Sequence, residues 1–320
     1  MNKLNRSLGI LSLLFILPGS SLLGAETKLD FKYVPNFFES TPGGSALGAC
    51  HGGAAIDKAG NIYVTTDTER GIVVFSPAGK YLRAIGPSHI HALEIREENG
   101  TEYIYAARPS RHHVLKLSLA GETVWTLEAP VQVFVDPKKF NPCAVTVAPD
   151  GSIYVADGYG SNFVFKFDKN RKFVKGFGGP GKEEGKFQTC HGIAYDPRHN
   201  NLLVCNRNNN RAEHWDLDGN FIRVIQRDLR MPAAVHIRGD YALFPELQGR
   251  VTLLDREGNI AAQLGDQPNE KHRANFGLPQ SEWKTGIVNS PHGGSIDQDG
   301  NIIVSEWTQF GRVHKWVRSK

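Results

Sequence analysis

The chain has 320 residues, 40% hydrophobic and 22% charged, with 34 Gly and 17 Pro. That globular profile excludes disorder, collagen and coiled coil. The formal net charge is +4, and about +2 once Lys3 and Arg6 of the leader described next are set aside. A surface so nearly balanced gives no reason to expect a nucleic-acid partner.

Residues 1–25 read as a secretory signal peptide. Lys3 and Arg6 form a positive start, Leu8 to Leu17 an apolar core, and Leu23-Gly24-Ala25 a small-residue cleavage site before Glu26. The apolar run falls short of the ~20 residues a spanning helix needs. The expectation is an exported protein, periplasmic or extracellular, without stable membrane insertion. Residues 26–320 are expected to form a single domain and a monomer. Cys50, Cys143, Cys190 and Cys205 are too few for a disulfide framework in a chain this long, and their pairing stays open.

The body of the chain repeats. Units begin at positions 51, 91, 143, 191, 233 and 292, spaced by 40, 52, 48, 42 and 59 residues. The clearest begin at His51, Cys143, His191 and His292, and weaker copies begin at His91 and Ala233. Each holds short β-rich runs, such as Asn61-Ile62-Tyr63-Val64 and Gly71-Ile72-Val73-Val74-Phe75, separated by Asp-Gly or Gly-Asn turn signals. No helical period interrupts them. Six such units predict an all-β fold, a six-bladed β-propeller. The last unit holds three runs, and Leu29 to Val34, ahead of the first unit, is predicted to complete its blade and close the ring. Trp125, Trp215 and Trp316 recur on outer runs, where they are expected to pack between blades.

The first strand of a propeller blade lines the central channel, so equivalent starts converge on the axis. Those starts hold His51, His91, Cys143, His191, Ala233 and His292. Chance would place roughly a quarter of a His among six positions in a chain with 12, whereas four are found. Imidazole is the commonest metal ligand, and three His with an open position suit a catalytic zinc. His91, His191 and His292 are therefore candidate ligands, with His51 and Cys143 as additional ones.

At these residues the sequence resembles NHL-type propellers, and among them the peptidyl-α-hydroxyglycine α-amidating lyases. These enzymes split a C-terminal α-hydroxyglycine into a peptide amide and glyoxylate, using a zinc held by three His near the propeller axis. The ligand motifs resemble Ile90-His91-Ala92, Cys190-His191-Gly192 and Pro291-His292-Gly293 here. The family's catalytic Tyr is matched by Asp157-Gly158-Tyr159, and its substrate-binding Arg by Asn206-Arg207. The resemblance covers about residues 45–320. It implies zinc as cofactor, allows a structural calcium, and points to a small molecule or peptide C-terminus as substrate. It implies Tyr159 as base and Arg207 as a bidentate partner of a substrate carboxylate. One departure stands out: where the family carries an Arg after the second strand of the first blade, this chain reads Val64-Thr65-Thr66-Asp67. Arg108, in the same column as Arg207, is the candidate replacement, with Arg70 a second one. A non-catalytic scaffold binding a peptide or partner, and a metal-dependent hydrolase on the same propeller, remain the alternative expectations.

Overall fold

The computed structural model describes residues 28–39 and 47–319. The predicted signal peptide lies outside the described residues. Six four-stranded antiparallel sheets follow one another as the blades of a six-bladed propeller. The innermost strands are Ala54–Ile56, Ala92–Glu98, Ala144–Val147, Cys190–Asp196, His236–Arg238 and Pro291–Ile296. The predicted closure is present. Phe31–Tyr33 pairs with Val313–Arg318, Phe31 opposite Arg318 and Tyr33 opposite Trp316, as the outermost strand of the last blade. Helical structure among the described residues is confined to five short 3-10 turns.

The turn chemistry of the repeat is visible in its hydrogen bonds. In Asp57 to Asn61, one Asp57 oxygen accepts the Asn61 backbone N–H at 2.7 Å and the other its side-chain amide at 2.8 Å. Asp216 with Asn220, Asp255 with Asn259 and Asp297 with Asn301 repeat the arrangement. Gly60 takes φ +82° in the first of these turns, a conformation that side chains resist and glycine adopts without cost.

Six apolar clusters hold the ring, and each lies between neighbouring blades. Tyr63, Ile72 and Val74 of blade 1 meet Ile104, Leu115 and Leu117 of blade 2. Trp215 and Trp316 are buried in two further seams, and Trp125 packs against another, as their periodic positions predict. Burying one such large side chain contributes about 1.5–3 kcal/mol. The innermost strands of blades 6 and 1 approach closely beside the axis. A Cβ on Gly293 would meet the Gly52 carbonyl oxygen at 1.9 Å. All four cysteines are buried and unpaired.

Candidate metal centre

His91 immediately precedes the inner strand of blade 2, while His191 and His292 are second residues of the inner strands of blades 4 and 6. The three rings stand 4.8 Å apart, centroid to centroid, on every side of a triangle. Their planes are inclined by 65° to 84°, so each pair of rings meets in a T-shaped, edge-on arrangement. All three are buried. Nδ1 of His91 lies 2.7 Å from the Cys143 carbonyl oxygen, and Nδ1 of His191 lies 2.5 Å from that of Ala233. A carbonyl only accepts, so Nδ1 carries the proton in both rings and Nε2 offers its lone pair inward. Burial, reinforced by the neighbouring imidazoles and Arg207, drives all three basicities down, for His91 to about 3. Neutral imidazoles whose donor nitrogens lie within 4.8 Å of one another form a set that fits a divalent metal ion.

Tyr159 closes one side of this triangle. Its hydroxyl lies 2.9 Å from His191 Nε2 and 3.2 Å from His91 Nε2, and it accepts a hydrogen bond from Arg207 at 3.1 Å. The Arg207 guanidinium also stands 5.3 Å from the phenol ring centre. Burial pushes the phenol up to about 12 against the opposing pull of Arg207. The loop carrying Tyr159 is pinned from beneath by Asp157, which accepts from Ser161 N–H and Oγ and from Asn141 N–H at 2.6–2.8 Å. Burial raises that carboxyl to about 6. Gly158 is required for the approach, because a Cβ there would lie 2.2 Å from the Cys190 carbonyl oxygen.

The other candidates occupy different places. His51 lies beside the triangle, its ring 5.2 Å from His91 and 5.9 Å from His292, but its Nδ1 is bound at 2.7 Å to Asp67. It stands outside the converging donor set. Cys143 is also outside that set. Its thiol is fully buried and burial holds it protonated, so it contributes through its carbonyl, which orients His91. Arg108 is turned away to the Ser88 carbonyl oxygen, at 2.7 Å and 3.1 Å, and to His113 at 3.1 Å. Of the two arginines, Arg207 is the one that touches Tyr159.

The sequence reading missed three features. The His51–Asp67 pair was legible in principle, because the register that sets Ala54 opposite Val64 carries residue 51 opposite residue 67. Asp157 is visible in the sequence as part of the Tyr159 motif, but nothing in the spacing marks it as the residue that holds the loop. The third is the channel beneath the triangle, a cavity of about 290 Å³ lined by His91, His191 and His292 together with Glu94, His236 and Arg238. His236 sits three residues beyond the repeat start at Ala233, so no column position marked it.

No protein-family model matches the chain. A peptidyl-glycine alpha-amidating monooxygenase A of Xenopus laevis is 29% identical over 166 residues, 48% of this chain and 17% of that protein. The match thus spans well under a fifth of the relative's length. A streptogramin B lyase structure superposes at TM-score 0.60 and 15% identity, over 91% of this chain and 98% of that one. A gluconolactonase of Xanthomonas campestris gives TM-score 0.60 and 11% identity over 86% and 88%. These structural likenesses carry the fold alone. Fold and site together define a six-bladed β-propeller with three converging imidazoles at its axis. Its sequence likeness runs to the amidating enzymes, and no helix among the described residues is long and apolar enough to cross a membrane.

Proposed function

We propose that the chain is an exported, metal-dependent carbon–nitrogen lyase acting on a small hydroxylated and carboxylated substrate, such as a peptide ending in α-hydroxyglycine. The observation that carries this is the triangle of neutral imidazoles with Tyr159 and Arg207 on one side. His91, His191 and His292 would hold the ion, with zinc the choice their nitrogen donors favour. A bound ion of this kind polarises a hydroxyl or carbonyl oxygen. Arg207 offers a planar guanidinium to the substrate carboxylate, the geometry in which such pairs are strongest. Tyr159, bracketed by Arg207 and the imidazoles, is placed to hydrogen-bond the oxygen on which charge develops. The amidating relative is an enzyme by name, which supports catalysis over a passive scaffold.

One feature favours a second reading, a metal-dependent hydrolase. Asp67 puts an acid at the mouth where the amidating lyases carry a guanidinium, and this weakens the hold on a carboxylated substrate. The test begins with metal content per chain on untagged protein, expected near one. Glyoxylate release from N-benzoyl-α-hydroxyglycine then supports the lyase. Lactone opening without glyoxylate release supports the hydrolase, and a chain that holds no metal even when zinc is supplied supports neither.

A further inference from the structure

Four histidines stand at the channel mouth, and their Nδ1 partners divide them. Two of the three in the triangle, His91 and His191, give Nδ1–H to neutral backbone carbonyls, which fix the tautomer and turn Nε2 inward. His51 instead gives Nδ1–H to the carboxylate of Asp67 at 2.7 Å. A carboxylate there fixes the same tautomer, the arrangement of a His–Asp dyad in which Nε2 is the ring's acceptor. The pair is built into the frame. Asp67 N–H donates to the Ala49 carbonyl at 2.7 Å, and the adjoining Cys50 exchanges backbone hydrogen bonds of 3.0 and 3.1 Å with Thr308 across the seam between blades 1 and 6. The His51 side chain is 36% exposed, and its Nε2 makes no hydrogen bond to a described residue. Its ring is 5.2 Å from that of His91 and 5.9 Å from that of His292, beside the reaction space but outside the ligand set. Tyr159, by contrast, already has its hydroxyl engaged with His191 and Arg207.

We infer that His51 is the general base of the site and Asp67 its positioning residue, a dyad that takes the place of the guanidinium expected in the first blade. This rests on the lyase reading above. His51 Nε2 removes the hydrogen of the substrate hydroxyl. The oxygen's electron pair becomes the carbonyl π bond, and the carbon–nitrogen bond breaks with its electrons passing to nitrogen. The nitrogen then takes the proton back from Nε2. An α-hydroxyglycine thus yields an amide and an aldehyde acid, with no water consumed and nothing oxidised or reduced.

The test compares full-length wild type with His51→Ala, His51→Gln and Asp67→Asn, all supplied with zinc, and follows glyoxylate release from N-benzoyl-α-hydroxyglycine alongside metal content. Loss of either His51 variant's imidazole is expected to lower kcat on the order of 10²–10⁴-fold, with KM and metal per chain unchanged. Free imidazole should restore part of the rate to His51→Ala. Asp67→Asn should lower kcat by up to about 10⁴-fold with its metal intact, because the amide permits the wrong tautomer. Wild-type turnover with kcat of both folded His51 variants within about threefold overturns the assignment and leaves the lyase reading standing. Metal loss in both variants makes His51 a ligand and likewise overturns it. A wild type that binds zinc but releases no glyoxylate overturns the lyase reading, and the assignment falls with it.

Discussion

Two histidine clusters occupy opposite ends of one strand, Cys190–Asp196 of blade 4. Near its start, His191 joins His91 and His292. At its end, Asp196 meets His199 and His214, again with donor atoms within 4.8 Å of one another. By ligand type alone the second group is the richer, since it adds a carboxylate to its imidazoles. The difference lies in what already holds those atoms. Both Asp196 oxygens are taken by the Arg198 guanidinium, at 2.8 and 2.7 Å, and its carboxyl is held well below the usual range. A fixed positive charge therefore stands where a cation would have to enter. At the triangle no carboxylate takes part, and the imidazoles are kept neutral by burial. Convergence of ligand types defines a metal site only where no fixed charge already holds the donor atoms.

That contrast can be broken outright by exchanging the two ends. Replacing His91, His191 and His292 together by Ala should abolish tight metal binding, whereas replacing His199 and His214 should leave metal content unchanged. Elemental analysis of the purified chains decides between them, and the reverse pattern would exchange the two assignments. Next in size is Arg198→Ala, which strands the buried Asp196 carboxylate without its main partner. It should cost about 3–5 kcal/mol of stability, read as a lowered denaturant midpoint, with the metal still bound. Tyr159→Phe sharpens the description of the upper end. It should reduce turnover by roughly 10²-fold, the order expected for one lost transition-state hydrogen bond, while metal content stays constant.

A pH-dependent effect lies in the channel between the ends. Burial raises the Glu94 carboxyl to about 7 from its ordinary 4.5. The folded chain therefore keeps a proton there that the unfolded chain has already released. Stability from this group should fall as pH rises from about 4.5 to about 7, and be fully present below that window. Glu94→Gln should flatten that segment of the pH–stability profile. An unaltered profile would mean that water in the channel solvates the carboxylate.

How much of this was legible beforehand depended on whether a feature repeats. The six blades were readable because Asp57 with Asn61 and Asp297 with Asn301 are the same local device, each complete within five residues. The closing strand was readable because Phe31 and Tyr33 lie in a strand-like run while the last unit was one strand short. His91, His191 and His292 were readable as a column, since equivalent positions in a closed ring must meet at the axis. Equivalence gave no means of separating them from His51 and Cys143, which occupy the same column. What separates them is a single neighbour each: Asp67 opposite His51, and the burial that holds the Cys143 thiol protonated. Arg108 misled for the same reason. It shares a column with Arg207, but the Ser88 carbonyl and His113 draw its guanidinium elsewhere.

The amino-acid sequence by itself determined the architecture and the set of residues brought to the axis. Turn chemistry and strand periodicity act over a few residues, and repetition multiplies their signal. The tertiary structure alone decided which of those residues converge as neutral donors and which are bound by a charge. That choice rests on contacts between atoms far apart in the chain, such as Tyr159 with His191 or His91 with Cys143. A hydrogen bond forms or fails within a few tenths of an ångström, and no pattern of residue types along a chain carries that information.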